Sequence, residues 1–213
     1  MENKDNKEFV ILQAAEDEFL EKGYDGAKTM SIARRAGVNH ALLHYYFRTK
    51  QNLFEMVVKR KIETLAQSVI DSFGGQDSDM PLIDRILMGF EMHYDFLCEN
   101  PKLPLFLVTQ IFGKPENVQM FGNFIKTMGF PVMRSLDLEL KQGFEAGVFK
   151  PIRAIDLFVD AISLNVFPFV AGSVVDVVRE DMLHEDKATF LANRKKEIRK
   201  TIRARLLVND TES

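Results

Sequence analysis

A chain of 213 residues has room for one domain of ordinary size and a smaller companion. Apolar residues make up 46% of it and charged residues 28%, with a net charge of −3. That balance argues against disordered, collagenous and membrane-spanning classes. Cys98, the one cysteine, excludes an internal disulfide and fits a reducing compartment. The N-terminal MENKDNKEF is polar and mixed in charge, so no signal peptide is expected and the chain is placed in the cytoplasm.

Asn6 to Lys22 predicts a first helix, with Phe9, Leu12, Ala15 and Phe19 along one stripe and Gly23 closing it. The next stretch, Thr29 to Leu53 (TMSIARRAGVNHALLHYYFRTKQNL), predicts two short helices and the entrance to another. Thr29 is expected to cap the first, because a Thr hydroxyl accepts from an unpaired backbone N–H. Ile32, Ala33 and Ala36 recur at helical spacing, and Gly37 ends that helix in the left-handed conformation glycine adopts without steric cost. Asn39 is expected to cap the next helix, His40 to Phe47, which Leu43 and Phe47 hold from behind. Thr49 is placed as the cap of a helix beginning at Lys50.

The outward face of the second short helix carries His40, Ala41, Leu42, His44, Tyr45 and Arg48. A major groove admits one helix, whose side chains reach base edges while flanking donors take phosphates. His40, Leu42 and Tyr45 are the expected base readers, with Ala41 allowing close approach and His44 and Tyr46 able to bond bases or phosphates. Thr29, Arg48 and Lys50 stand where phosphates would lie. From Gly26 to Lys61 the bases are Lys28, Arg34, Arg35, Arg48, Lys50, Lys59, Arg60 and Lys61, against the single acid Glu55. The positive charge of an otherwise acidic chain is thus concentrated around this unit, as double-stranded DNA requires.

With those residues in view, the sequence resembles the TetR family of one-component bacterial transcriptional repressors. The resemblance covers about the first fifty-five residues: AAEDEFLEKGYDG, the two-helix unit, then HYYFRTKQNLF. Gly37-Val38, Leu43, the aromatic Tyr46, Phe47, Lys50 and Leu53 carry it. Ala41 and His44 depart from the Gly and Tyr frequent in the family, and bear on which operator is read. The resemblance implies a homodimer on a pseudo-palindromic operator, released when a small molecule enters the C-terminal helices.

Gln51 to about Phe73 predicts a long helix leading away from the basic unit, and Gly74 to Asp79 a hinge or loop. Helices are then expected over Pro81–Glu99, Pro101–Phe112, Met120–Ala146, Ile152–Val178 and Asp186–Val208, with a short turn near Pro115–Gln119. Pro131 and Pro168 fall inside helical patterns and should kink them. No stretch alternates with period two. The expected fold is all-α: an N-terminal helix-turn-helix DNA-binding domain over residues 1–50 and a C-terminal helical ligand-binding and dimerisation domain over 51–213.

Six methionines lie between residues 80 and 133, interleaved with phenylalanines. Such surfaces re-pack around varied apolar shapes, and the same residues at helical spacing also build ordinary core. Met92, Phe96, Phe106, Phe121, Phe124 and Phe167 are the candidate ligand-binding residues for a small hydrophobic inducer. His93, Tyr94, Gln110, Asn117 and Asn165 are candidate polar groups near it. The stretch Ile152 to Val178 is apolar on several faces and must be covered on several sides. With the last helix it can form a four-helix bundle between two chains. The basic run from Lys187 to Arg205 is read as a solvated face, with nucleic acid or an anionic membrane as its rival partner.

No catalytic residue is chosen, because no GxSxG or Cys-His signature appears. His40 and His44 are spaced as a metal pair can be, yet HALLH lacks the glutamate of HExxH; no metal and no cofactor are expected. The residues and the resemblance together point to a DNA-binding transcriptional regulator, with a helical small-molecule-binding protein without a transcriptional role as the alternative.

Overall fold

A computed structural model describes residues 2–74, 80–112 and 115–209. Among these are eleven α-helices and two π turns: α1 (Glu2–Gly26), α2 (Thr29–Arg35), α3 (His40–Phe47), α4 (Lys50–Gly74), α5 (Leu82–Glu99), α6 (Leu103–Phe112), α7 (Pro115–Phe124), a π turn (Ile125–Gly129), α8 (Phe130–Glu145), α9 (Ala154–Val170), α10 (Gly172–Val178), a second π turn (Arg179–Leu183) and α11 (Lys187–Leu206). The fold is all-α, and no strand occurs among the described residues; Phe149 and Leu207 form one isolated bridge.

Two apolar cores organise the chain. The first joins Ile11, Ala15 and Phe19 of α1, Ile32 of α2, Leu43 and Phe47 of α3, Leu53 to Ile62 of α4, and Leu103, Phe106 and Leu107 of α6. The basic unit therefore shares its core with the first half of α4 and with α6. The second core joins Ile86, Phe90, Tyr94 and Leu97 of α5 to Leu140, Leu157, Phe169 and the inner stripe of α11, Ile198, Ile202 and Leu206. Leu65 and Phe96 pack against both cores.

Four details differ from the sequence expectation. The turn placed at Pro115–Gln119 is the opening of α7. The helix expected over Met120–Ala146 is interrupted by the π turn Ile125–Gly129, after which Pro131 occupies the first turn of α8. Pro131 has no N–H, and its ring crowds the carbonyl four residues back, at Thr127; widening the turn there removes that conflict. The long apolar helix likewise ends at Val170, two residues after Pro168, and the chain bends by 75° before continuing through Gly172–Leu183. Only one stripe of α9 is covered within the chain (Ala154, Leu157, Ala161, Asn165, Phe169), while Ile155, Val159, Ile162 and Phe167 face outward. The hinge expected at 74–79 lies, beyond Gly74, outside the described residues. No single described helix is long and apolar enough to cross a membrane.

The basic run of α11 is turned onto the acidic helix α5. Lys195 pairs with Asp95 at 2.6 Å and Arg199 with Glu91 at 2.7 Å. The run therefore spends much of its charge within its own chain. Below α11, a backbone pair, Lys150 N to Leu206 O at 2.7 Å and Val208 N to Val148 O at 3.1 Å, ties the chain end to the α8–α9 connection. Phe149 is seated over Gly143, where an added Cβ would fall 2.2 Å from the ring.

His93 and Asn165 form a buried polar pair between α5 and α9. Asn165 Nδ2 donates to the Phe90 carbonyl at 2.9 Å and to His93 Nδ1 at 3.1 Å. Burial lowers the imidazole pKa from 6.5 to about 4, so the folded chain holds His93 neutral where the unfolded chain would protonate it. The associated stability is full above pH 6.5 and is lost as pH falls from there through about 4. The loss is expected to be on the order of 3 kcal/mol. Urea midpoints measured between pH 7 and pH 4 should fall in the native chain and fall less in His93→Gln; parallel profiles would refute the assignment.

Candidate DNA-binding surface

The turn between α2 and α3 is built from local hydrogen bonds. Gly37, at φ 64°, donates to Arg34 O at 3.2 Å, and Val38 N donates to Ala33 O at 3.0 Å. This paired closure satisfies carbonyls that the end of α2 would leave open. Two residues on, Asn39 Oδ1 accepts from Leu42 N at 2.7 Å and starts α3. Leu43 and Phe47 are buried in the first core and fix the rotation of α3 about its axis. At its far end, Thr49 Oγ1 accepts from Asn52 N at 3.1 Å and starts α4.

A carboxylate holds α2 against α1. Glu18 is fully buried, and accepts from Lys22 Nζ at 2.7 Å, Ser31 Oγ at 3.0 Å and Lys28 N at 3.5 Å. Burial pushes this carboxyl up, but the bonds from Lys22, Ser31 and the Lys28 amide outweigh it and leave it below its usual range. Arg35 of α2 reaches back to Glu21 at 2.9 Å. The negative charge also sits beside the N-terminus of α2, where the helix dipole favours it.

With its inner face buried, α3 turns the residues selected from sequence to solvent. Tyr45 is 68% exposed, Ala41 and His44 are exposed, and His40 and Leu42 are half-buried. Tyr46 leans on the first core and meets Tyr45 edge-on, with ring centroids 5.5 Å apart. His44 Nδ1 lies 2.9 Å from the Arg48 carbonyl and donates to it. The His40 and His44 rings are also edge-on, at 4.4 Å. Among the described residues no group of three or more His, Cys, Asp or Glu could hold a metal ion. Arg48 takes φ 58°, a backbone strain that turns the chain from α3 into α4.

The flanks are placed by contacts that sequence alone did not reveal. Thr29 does not cap α2: the N-cap is Lys28, with no side-chain cap bond. The Thr29 hydroxyl lies instead 3.0 Å from His40 Nε2, joining the first residues of α2 and α3. Lys50 stands over the Tyr24 ring, 4.6 Å from its centroid, with Nζ 3.5 Å from the Asp25 carbonyl. Tyr24 is itself set against Phe19 and Phe54, so an aromatic anchored in the core positions a cation at the edge of α3. Glu18 and Tyr24 were missed in the sequence reading. A carboxylate one residue before Phe19, on the covered side of α1, was the available signal for Glu18.

Residues 11–57 match the description "Bacterial regulatory proteins, tetR family". That segment carries a DNA-binding domain of TetR type. Among similar proteins, the helix-turn-helix regulator YdgC of Bacillus subtilis is 27% identical over 139 residues, covering 63% of the chain and 66% of YdgC. The activator FasR of Mycolicibacterium smegmatis is 28% identical over 94 residues, covering 44% of the chain and 42% of FasR. The chain thus spans less than two thirds of either relative. A transcriptional regulator structure from Streptomyces coelicolor shares the fold at a TM-score of 0.62 and 15% identity, over 94% of this chain and 98% of that one.

The candidate ligand residues differ in exposure among the described side chains. Met92 is 42% exposed and Phe167 63% exposed. Phe106 lies in the first core against Phe54, and Phe96 sits between the two cores. The side chains of Phe121 and Phe124 lie outside the described residues. Of the polar candidates, His93 meets Asn165, and Asn117 Nδ2 donates to the Gln110 carbonyl at 2.9 Å.

Proposed function

We propose that this TetR-family chain is a cytoplasmic homodimer that represses transcription from a pseudo-palindromic operator and releases it on binding a small hydrophobic ligand. The supporting observation is the outward face of α3, with Tyr45, His44 and Ala41 exposed, Leu42 half-buried beside them, and Thr29, Arg48 and Lys50 at its flanks. Residues 1–50 are the DNA-binding unit in this reading, and 51–213 carry the ligand site and the dimer contact. No enzymatic role is proposed. Met92, Phe96, Phe106, Phe121, Phe124 and Phe167 remain the proposed ligand contacts, a set that would have to converge when helices of the second half shift.

Dimerisation is supported by the outer face of α9 to the second π turn. Ile155, Val159, Ile162, Phe167, Val174, Val177, Met182 and Leu183 are all exposed. Exposed apolar residues in this number are what an interface between two chains would cover. A two-fold pair would set two copies of α3 about one helical turn of DNA apart, roughly 34–36 Å.

The test is a titration of DNA fragments flanking the chain's own gene at two salt concentrations. Lys50→Ala should weaken all fragments alike and reduce the salt slope by about one. Tyr45→Ala should instead narrow the preference among fragments. Weakening of equal size from Lys195→Ala or Arg199→Ala would assign binding to α11 and overturn the reading. The naming of FasR as an activator supports one second reading, in which the same contacts recruit transcription; a reporter with the operator upstream of its promoter separates the two signs.

A further inference from the structure

Thr29 of α2 and His40 of α3 are joined by a hydrogen bond, with Oγ1 3.0 Å from Nε2. Both residues are half-buried, so each keeps some surface open to solvent. A hydroxyl has one proton to give, and an imidazole nitrogen either donates or accepts. Without DNA the bond can therefore run in either direction. A phosphate oxygen only accepts. Once it takes the Thr29 proton, the Thr29 oxygen can only accept from His40, and Nε2 must carry a hydrogen.

The charges around the pair decide which form of the ring is then favoured. α2 and α4 make the main contacts with α3. Neither α2 nor α3 carries an acid; α2 brings Arg34 and Arg35, with Lys28 just before it. α4 brings Lys50, over the Tyr24 ring, and Glu55, whose carboxylate accepts from Gln51 at 2.6 Å. Behind α2, the α1 carboxylates Asp17, Glu18 and Glu21 are paired with Lys22 or Arg35. No carboxylate of α2 or α3 is there to meet a protonated His40. A phosphate held by Thr29 supplies that counter-charge, and an opposite charge within about 4–6 Å favours the charged form.

We propose that His40 is a positioning residue for DNA: it orients the Thr29 hydroxyl toward a backbone phosphate and takes up a proton from solvent as that phosphate binds. The bound state then holds more protons than the free one, so acid favours it. DNA affinity rises as pH falls through the range, roughly pH 8 to 5, in which histidine changes charge. His44 does not share this role. Its Nδ1 donates to the Arg48 carbonyl at 2.9 Å, an acceptor that is the same with and without DNA. The role of His40 rests on the DNA-binding reading given above.

The experiment uses the full chain and a duplex that the chain selects from a random-sequence library at pH 6. Anisotropy titrations at fixed ionic strength should show binding about tenfold tighter at pH 6 than at pH 8. Calorimetry at pH 7 in PIPES and in Tris, whose ionisation enthalpies differ, should show a net uptake of protons on binding. His40→Gln keeps an N–H for Thr29 but cannot take a charge, and should flatten the pH dependence to within about twofold. Thr29→Val keeps the shape of the side chain without its hydroxyl. It should lower affinity at pH 6 and flatten the dependence equally, which a merely structural role would not do. His44→Gln should weaken binding by one factor at both pH values and leave the dependence in place. Circular dichroism checks that each variant is folded at both pH values. Equal native affinity at pH 6 and pH 8, a dependence that survives Thr29→Val, or one lost in His44→Gln overturns the proposal and leaves the regulator reading intact. A library from which no duplex is retained overturns that reading, and the role of His40 with it.

Discussion

Glu18→Gln is expected to lower the stability of the chain by about 3 kcal/mol, a melting shift of roughly 6–12 °C for a protein of this size. The carboxylate is fully buried, and three donors converge on it: the Lys22 ammonium, the Ser31 hydroxyl and the Lys28 amide. An amide in its place keeps the shape, removes the charge and turns an N–H₂ group toward existing donors. Because folding holds the carboxyl below its usual pKa, its contribution is present above the unfolded value of about 4.5 and is lost as pH falls through the folded one. The native chain should thus lose stability on acidification more steeply than Glu18→Gln, and the two melting curves should converge at low pH. DNA affinity should also fall, since Ser31 and Lys28 are the points at which Glu18 holds the start of α2. A melting midpoint within a degree of native would remove Glu18 from this role.

The second large effect concerns the apolar face of α9 and α10. Phe167→Glu combined with Val174→Glu places two charges where Phe167 and Val174 are exposed in the single chain, so the fold of each chain should survive. Light scattering should report a monomer, and operator affinity should fall by about a hundredfold, because two half-sites would no longer be held by one linked pair. Helix content by circular dichroism should stay unchanged. Retention of a dimer with native operator affinity would place the interface elsewhere.

What could be read from the sequence was local. Gly37 and Asn39 act within four residues of themselves, so their roles as stop and cap follow from the residues alone. The α3 face was legible for the same reason: burying Leu43 and Phe47 decides where His44 and Tyr45 point. Thr29 was misread because its hydroxyl has a partner eleven residues away, His40, that no capping rule anticipates. The α11 charges were ambiguous until Asp95, one hundred residues before Lys195, was found beside it. Apolar residues at helical spacing look alike whether they fill a core or face outward, which is why Phe106 and Phe167 are grouped together in sequence although one is buried and the other exposed. The π turns were invisible, since one added residue per turn changes register without changing composition.

α4 contributes Leu53, Phe54, Val57, Val58 and Ile62 to the core beneath α3, and one turn further on Leu65 touches the core of the second half as well. A single helix therefore answers to two sets of neighbours. In the reading proposed above, if a ligand moves it so that DNA binding weakens, DNA weakens that ligand by the same free energy, whichever arrives first. A molecule that loosens the chain from DNA tenfold must itself be held tenfold less tightly when DNA is bound. An operator in the cell would then act as a competitor of the signal it reports, and the dose needed for release would rise with the number of operators occupied.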